Sequence, residues 1–532
     1  MAYRQHGLYS IFASRIWFVW FLFYLLVSIR YILQVLSSDI RSKNFFGIIA
    51  LLTTTLFVTF KLGSFPIDIS GEATQQVAAG LSNWEKNDFG YTGTSFLGNP
   101  NKQFLLVSLP SLFWGKSIIN YRLGYLLPFL LGIFLFYSGL KLYYSKYGDI
   151  SIAAGISSLA IIAFPVIPVL IRTFEQITNP ISFTLQAIGM FLITKTRLTI
   201  INWIALGWIL IMLANIYVPA LAVWALFLGV LLMMTVFEII KNKSAYRSIL
   251  WIGCLILSLS FGIISYHHRT DTKLPNKDLS INEVVEKSRQ SLEYFSIHNT
   301  DMYNNQVPLI GQIIFLPVVI YLFGSLTYAW GFQHFLLVIW IIATIIFSGL
   351  SPGYAKPHIS FGIHRSIIVI PFILWGIIDL FSRYDVIFQQ KMKIIIFSVI
   401  MVFNIYIIHN IYISAVKNFD IRSLLLRETI NTASKYHIEP EDEIQLGIYL
   451  NSFKTQFLND HLYFFFPKFT VFPDNQPCLV GFKPNVNMII YTEGTNCVEE
   501  LTPLSSKLIY DKYDFDFSNS HYSLNQIIYS AK

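Results

Sequence analysis

Two carboxylates, Asp68 and Glu72, closely follow an apolar run that ends at Leu62. Carboxylates at the exit of a membrane helix are energetically costly unless they have a partner or a chemical task. Residues four apart share one face of a helix, and a fixed carboxylate there could act as a general base that takes a proton from a nucleophile. The alternative is structural: Asp68 or Ser70 caps the next helix, and Glu72 stabilises its first turn.

A lysine and two helical patterns follow these acids. The apolar residues that recur at helical spacing are Ala73, Val77, Leu81 and Trp84. They predict an amphipathic helix over about residues 71–84 that lies on the bilayer surface. A second apolar piece, Phe104–Trp114, predicts another surface helix. Lys102 lies between the two and could bind a phosphate as a point charge, or it could be a solvated loop lysine.

More charged and titratable residues lie in loops predicted to face the same compartment. One loop contains Arg172 and Glu175. They could contact a substrate, or they could form a local ion pair at a helix end. A later loop contains Lys356, His358, His364 and Arg365. These residues could contact a substrate, or they could be interfacial anchors. The adjacent pair His267 and His268 would point apart on a helix or a strand, so we expect no metal and no other cofactor.

The composition determines the class of protein that must position these residues. Of the 532 residues, 54% are hydrophobic and 13% are charged, against about 25% charged in soluble domains. Several apolar runs are long enough to cross a bilayer. The sequence therefore predicts a polytopic helical membrane protein. Its net charge of +8 is attributed to cytoplasmic Lys and Arg, and nucleic acid is not expected as a partner. No cleavable signal peptide is indicated.

Hydropathy predicts about twelve spanning helices. The predicted spans are residues 15–37, 45–62, 121–143, 150–171, 180–194, 198–215, 219–240, 248–265, 308–325, 331–349, 366–382 and 393–413. Short loops on one side carry Arg41, Lys43, Lys141, Lys146, Lys195, Arg197, Lys241, Lys243, Arg247, Arg383, Lys391 and Lys393. The positive-inside rule makes that side cytoplasmic. The span at 15–37 contains Arg30, and could instead lie along the interface.

The other side receives longer loops and a polar tail. The loops are residues 63–120, 172–180, 266–307 and 350–365. The tail, 415–532, predicts a small extracytoplasmic α/β domain separate from the transmembrane domain of residues 1–414. Its predicted elements are a helix over Arg422–Tyr436 and strands at Ile444–Leu450, Met488–Thr492 and Lys507–Tyr510. Cys478 and Cys497 either form a disulfide in an oxidising compartment or remain two free thiols.

The first outer loop resembles the C-type membrane glycosyltransferases, which include protein O-mannosyltransferases and lipid A aminoarabinose transferases. The matching pieces are Gly71-Glu72-Ala73, Lys102, Leu109–Lys116 and Arg122-Leu123, within about residues 60–130. The rest of the chain is similar only in its layout of spans, outer loops and C-terminal domain. Relatives usually have adjacent Asp and Glu, whereas Gly71 stands at the Asp position here. Asp68, Glu72 or both are therefore the candidates for the base.

The resemblance implies an inverting transferase that moves a sugar from a polyprenyl-phosphate donor to a lipid, glycan or protein acceptor. In that interpretation Asp68 and Glu72 are catalytic, Lys102, Arg172, His364 and Arg365 bind the donor phosphate, and Glu175, Lys356 and His358 line the acceptor or substrate loop. We expect a bacterial inner membrane with the site on its outer face, and the endoplasmic reticulum as the lesser alternative. The competing functions are a transporter or flippase of a lipid-linked glycan and a polysaccharide polymerase or ligase.

Overall fold

A computed structural model gives the fold of the chain. The residues it describes are 15–60, 62–63, 71–89, 101–144, 149–162, 178–216, 220–242, 245–267, 280–282, 285–286, 289, 370–383, 391–392, 394–402, 405–406, 421–438, 442–449, 465, 468–471, 486–492, 508–517 and 520–529. The predicted spans at 308–325 and 331–349 lie outside these residues.

The described part of the chain is mostly helical. In chain order its helices are α1 Ile16–Arg41, α2 Phe45–Thr59, α3 Gly71–Glu85, α4 Asn101–Val107, α5 Leu109–Trp114, α6 Ile118–Tyr143, α7 Asp149–Ile162, α8 Thr178–Thr196, α9 Ile200–Ala214, α10 Ala220–Phe237, α11 Ala245–His267, α12 Ile370–Arg383 and α13 Ile421–Lys435. A short π-helical segment, Glu238–Asn242, extends α10. Ser117 and Thr199 cap α6 and α9 by accepting hydrogen bonds from backbone N–H groups three residues later.

Three helices in the described part are long and apolar enough to cross a membrane: Ile16–Arg41, Ile118–Tyr143 and Val223–Ile240. Shorter apolar helices include Phe45–Thr59, Ile200–Ala214 and Ala245–Ser260. These helices make the chain an integral membrane protein. The first predicted span is a continuous helix of 26 residues on which Arg30 is exposed.

The chain divides into two compact units. One comprises residues 1–62 and 79–411, and the other comprises residues 63–78 and 412–532. The first unit contains the bundle of apolar helices. Within it α6 and α8 approach closely at two glycines, because a Cβ at Gly139 would lie only 2.5 Å from the Gly189 carbonyl oxygen. Small residues allow such backbone contact between membrane helices.

A buried amide joins three helices in the middle of this bundle. Gln186 of α8 is 2% exposed. Its Oε1 accepts a hydrogen bond of 2.9 Å from the Tyr24 hydroxyl of α1, and its Nε2 donates one of 2.8 Å to the Pro128 carbonyl of α6. That carbonyl belongs to a proline inside the helix. Each polar atom of the Gln186 amide is thus satisfied without water.

Charged residues gather at one end of the bundle, which we call the basic end. It is defined by Asp39, Lys141, Lys195 and Arg197, near the last turns of α1, α6 and α8. Lys141 Nζ lies 2.9 Å from Asp39 Oδ1, and the Tyr137 hydroxyl donates to Asp39 Oδ2 at 2.6 Å. Arg197 donates to Gln34 and Lys195 to Tyr143, both at 3.3 Å. These contacts bring together the ends of three helices whose following loops were predicted from the sequence to lie on the same side of the membrane.

The second unit contains α13 and a five-stranded sheet. Its strands are β1 Ile444–Tyr449, β2 Phe469–Val471, β3 Asn487–Thr492, β4 Leu508–Phe517 and β5 Ser520–Tyr529. The strand order is β2-β1-β3-β5-β4, with β1 parallel to β2 and β3, and β5 antiparallel to β3 and β4. Thr429 of α13 and Tyr491 of β3 form a buried hydroxyl pair at 3.0 Å. Sequence patterns predicted α13, β1, β3 and the start of β4, but not β2 or β5.

Candidate functional site

Helix α3 carries Glu72 in its first turn and ends in a defined cap. The helix covers Gly71–Glu85, as predicted. Asn87 has a left-handed φ of 50°, and the N–H groups of Asn87 and Asp88 donate to the carbonyls of Trp84 and Asn83 at 3.2 and 2.9 Å. This is a Schellman arrangement, in which Asn tolerates the left-handed position. It fixes the course of the chain at Asp88 and Phe89.

The C-terminal half of α3 packs directly on α4. A Cβ at Gly80 would collide with the Phe104 carbonyl oxygen and lie 2.6 Å from Ser108 Oγ. The Trp84 indole donates a hydrogen bond of 3.0 Å to the Leu105 carbonyl. Leu81 is 8% exposed. This half of the apolar stripe therefore faces protein, whereas the sequence predicted that the helix lies on the bilayer surface.

Lys102 is fully buried at the start of α4. Its exposed fraction is 0%, so the interpretation as a solvated loop lysine is wrong. Its Nζ donates to the Phe89 carbonyl and lies 5.0 Å from the centre of the Trp17 ring. The ammonium therefore joins the chain that follows α3 to the first turn of α1, through a hydrogen bond and a cation–π contact.

Burial changes the acidity of this lysine. Loss of hydration lowers the pKa of Lys102 from 10.5 to about 7, and the Asp88 charge opposes part of that shift. A position in the first turn of a helix adds an unfavourable dipole interaction for a cation. Lys102 therefore changes charge close to neutral pH, which no sequence pattern indicated.

Aromatic rings and an arginine surround this corner. Trp84 makes edge-to-face contacts with Phe18 and Phe89, each with ring centres 5.2 Å apart. Arg15 donates to the Asn87 side chain and lies 6.0 Å from the Phe89 ring centre. We call this end of the bundle the loop end, defined by the first turns of α1, α4 and α8. It lies at the opposite ends of α1 and α8 from the basic end.

Two more buried polar groups lie at the loop end, and the sequence did not predict either of them as a site residue. Gln103 of α4 and Asn179 of α8 are each 0% exposed, and Asn179 Nδ2 lies 3.5 Å from Gln103 Oε1. Arg122, at the start of α6, was noted in sequence as a motif match. It is 1% exposed and donates to the Leu62 carbonyl at 2.5 Å. Gln103 and Asn179 each directly precede a predicted apolar helix, and Arg122 lies in the first turn of one. This position at a helix start was the available signal.

The predicted surface helix Phe104–Trp114 is two helices. The break falls at Ser108, and Pro110 lies at the start of α5. Because proline favours the first turn of a helix, it favours a new helix beginning here. Phe104 and Leu105 are buried, whereas Phe113 and Trp114 are 69% and 64% exposed. The surface prediction thus applies to the end of α5 and not to α4.

The other predicted site residues are not brought together with Lys102 in the described part of the chain. Glu72 is placed on α3, and its side chain lies outside what the structure describes. Helix α3 has 15 residues, about 22 Å in length, and its described contacts with α4 involve Gly80 and Trp84. The site residues outside the described ranges are Asp68, Arg172, Glu175, Lys356, His358, His364 and Arg365, together with Cys478 and Cys497.

Titratable side chains in the described ranges form no group of three or more His, Cys, Asp or Glu close enough to hold a metal ion. Cys254 is fully buried in α11, where a thiol acts as a small apolar side chain.

The chain is similar in structure to several solved membrane proteins. No family model matches the chain, and no curated protein matches it. It is similar to ArnT from Cupriavidus metallidurans bound to undecaprenyl phosphate, with 12% identity over 91% of this chain and 98% of that chain and a TM-score of 0.44. The apo state gives 11% identity, the same coverage and a TM-score of 0.45.

A second similar structure is the oligosaccharyltransferase AglB from Archaeoglobus fulgidus, in complex with an inhibitory peptide and a dolichol-phosphate. It has 12% identity over 88% of this chain and 70% of that chain, with a TM-score of 0.41. ArnT, a lipid A aminoarabinose transferase, and AglB are both C-type glycosyltransferases, the class named by the motif resemblance. Because these TM-scores lie below 0.5, the function of this chain is inferred from its own residues.

Proposed function

We propose that this protein is a membrane-embedded, inverting glycosyltransferase. The donor is a polyprenyl-phosphate sugar, and the acceptor is a lipid, a glycan or a protein. The transmembrane domain, residues 1–414, carries the reaction at the outer face of the membrane, and residues 415–532 form an extracytoplasmic domain. A bacterial inner membrane is the proposed location.

The proposed reaction is a single displacement. An acceptor oxygen or nitrogen attacks the anomeric carbon, and the bond from that carbon to the phosphate oxygen breaks. The acceptor proton passes to the carboxylate of Asp68 or Glu72, acting as general base. The electron pair of the broken bond stays on the leaving phosphate, whose charge the cations Lys102, Arg172, His364 and Arg365 stabilise. Glu175, Lys356 and His358 contact the acceptor or another part of the substrate.

The observation that supports this proposal is the buried cation at the loop end. Lys102 lies at the end of the bundle opposite the Asp39–Lys141 pair, on the helix that follows the acidic segment. A buried ammonium is costly to maintain, and shifted titratable groups of this kind concentrate at functional sites. The same corner fixes the C-terminal half of α3, the helix whose first turn carries Glu72.

The distribution of charges in the described helices favours an enzyme over a transporter. Transporters place ionisable residues near the middle of the membrane. Within the described ranges, α2, α9 and α10 contain no charged residue, and the charges of α6 and α8 lie near their ends. Arg30 of α1 is the described exception, and it is exposed.

Substituting the two candidate bases tests the proposal. The protein in lipid nanodiscs is given a panel of undecaprenyl-phosphate hexoses and pentoses with total membrane lipid as acceptor, and release of undecaprenyl phosphate is measured. We expect Glu72→Gln or Asp68→Asn to lower turnover about 10²–10⁴-fold, with an unchanged melting temperature. Glu85→Gln, an exposed carboxylate in the last turn of α3, is the matched control and should keep wild-type turnover. Wild-type turnover in the Asp68→Asn, Glu72→Gln double variant would show that the base is wrongly assigned.

A further inference from the structure

Gln103 and Asn179 form a buried amide pair that lacks half of its hydrogen bonds. Both side chains are 0% exposed, yet within the described part of the chain Gln103 Nε2 and Asn179 Oδ1 have no hydrogen-bond partner. The contact between the other two atoms is 3.5 Å long, beyond the usual range of about 2.7–3.2 Å. An unsatisfied buried amide costs about 1–3 kcal/mol, so this pair calls for a physical explanation.

The assignment of amide oxygen and nitrogen does not remove the shortage. If both amides were turned over, Gln103 Nε2 would face Asn179 Oδ1, and the other two atoms would become the ones without partners. In either orientation the pair presents one NH₂ donor and one carbonyl acceptor to something else. A hydroxyl group can accept from the first and donate to the second at the same time.

Two other buried amides in the same helical unit are better satisfied. Both polar atoms of Gln186 have partners at 2.8–2.9 Å. Asn202 Nδ2 donates to the Tyr31 hydroxyl and to the Arg197 carbonyl, at 2.8 and 2.7 Å. The fold can therefore pair buried amides in the bundle. Among the described residues the amide nitrogen of Asn44, just after α1, also lacks a partner, but at Gln103 and Asn179 two unsatisfied amides lie side by side.

The location of the pair is specific. Gln103 follows Lys102 directly on α4, and Asn179 lies at the end of the segment 172–180, the loop that contains the predicted substrate residues Arg172 and Glu175. The pair thus connects the helix of the buried cation to the end of a predicted substrate loop. Trp17, whose ring lies beside Lys102, also has a buried indole N–H for which the described residues supply no partner.

We propose that Gln103 and Asn179 recognise hydroxyl groups of the sugar carried by the donor lipid. This inference rests on the proposed function and adds the residues that read the glycosyl group. Gln103 donates to one sugar hydroxyl oxygen, and Asn179 accepts a hydrogen bond from the same hydroxyl or a neighbouring one. A site built to pair a substrate hydroxyl discriminates strongly against ligands that lack it, because its own polar groups are then left unpaired.

The experiment measures binding without turnover. The melting temperature of the wild-type protein in nanodiscs is recorded with undecaprenyl phosphate and with the panel of undecaprenyl-phosphate sugars. We expect at least one sugar-bearing lipid to stabilise the protein more than the sugar-free lipid. In Gln103→Leu and Asn179→Leu the affinity for that donor should fall about tenfold, whereas the affinity for undecaprenyl phosphate should not change.

The stability of the ligand-free variants separates recognition from structure. Removing an unsatisfied amide should leave the melting temperature of Gln103→Leu equal to or above that of the wild type. Gln186→Leu, the matched control, should lower it, because the Tyr24 hydroxyl and the Pro128 carbonyl lose their partner.

Two results would overturn the inference. One is a Gln103→Leu, Asn179→Leu double variant that binds the sugar-bearing donor like the wild type, as expected if only a buried water fills the site. The other is a wild-type protein that every lipid of the panel stabilises equally. Sugar-specific binding that depends on Gln103, with no transfer in any assay, would instead refute the proposed function and leave the recognition site standing.

Discussion

The two ends of the helical bundle hold their lysines in different ways. At the basic end Lys141 is paired with a buried carboxylate at 2.9 Å, and a tyrosine hydroxyl completes the group. At the loop end the contacts of Lys102 include a backbone carbonyl and an aromatic ring, and the amides next to it are incompletely paired. Proteins leave local requirements unsatisfied mostly where function needs it, so the contrast supports the proposal that the loop end is the functional one.

The largest expected effect comes from breaking the pair at the basic end. Asp39→Ala leaves the Lys141 ammonium largely buried without its carboxylate, and we expect a loss of about 3–5 kcal/mol in stability. Thermal unfolding in detergent measures the loss. Arg41→Gln, an exposed cation on the same turn of α1, is the control and should have little effect. The comparison would be refuted if Asp39→Ala melted like the wild type.

A smaller loss is expected where α3 contacts α4. Gly80→Ala places a methyl group against the Phe104 carbonyl, which must move, and overpacking of this kind costs about 1–3 kcal/mol. Gly229→Ala is the matched control, because apart from the adjoining backbone of its own helix no heavy atom lies within 4 Å of the position that its methyl group would take, and alanine favours the helix. Melting temperatures of the two variants are compared directly. Equal values would show that α3 and α4 are not held at this distance.

The smallest effect on stability, and the one with a pH signature, concerns Lys102. Because its pKa is about 7 in the folded chain and about 10.4 when unfolded, the folded state binds fewer protons between these values. Because the unfolded chain binds more protons than the folded chain in this range, the stability of the wild type rises as the pH rises from about 7 to 10. Lys102→Met removes the charge, and a buried ionic group replaced by an apolar one is often neutral or stabilising.

We therefore expect Lys102→Met to melt at or a few degrees above the wild type at pH 6, with the difference shrinking above pH 7. Lys116→Met, which changes an exposed lysine between α5 and α6, should show no such pH dependence. A Lys102→Met protein that melts well below the wild type at pH 6 would indicate that the ammonium stabilises the fold. The sites at the two ends would then be alike.

Much of the helical layout could be predicted from composition and periodicity. Helix α3 was predicted within one residue at its C-terminal end, and α9 and α13 within about two residues at either end. The break at Ser108 was missed because the apolar run continues through it. Strand β5, SHYSLNQIIY, was missed because its polar residues do not alternate regularly, and it becomes a strand through pairing with β3 and β4.

The sequence alone determined that this is a membrane protein of apolar helices with an acidic segment after α2, and it predicts that the basic loops share one side. Those properties follow from local composition, which the bilayer and the positive-inside rule act on directly. Only the tertiary structure decided that Lys102 is buried and that Gln103 faces Asn179, 76 residues away in sequence. Burial and pairing depend on which distant segments of the backbone approach each other. Gly80, for example, allows a close contact only because the Phe104 carbonyl of α4 lies against it.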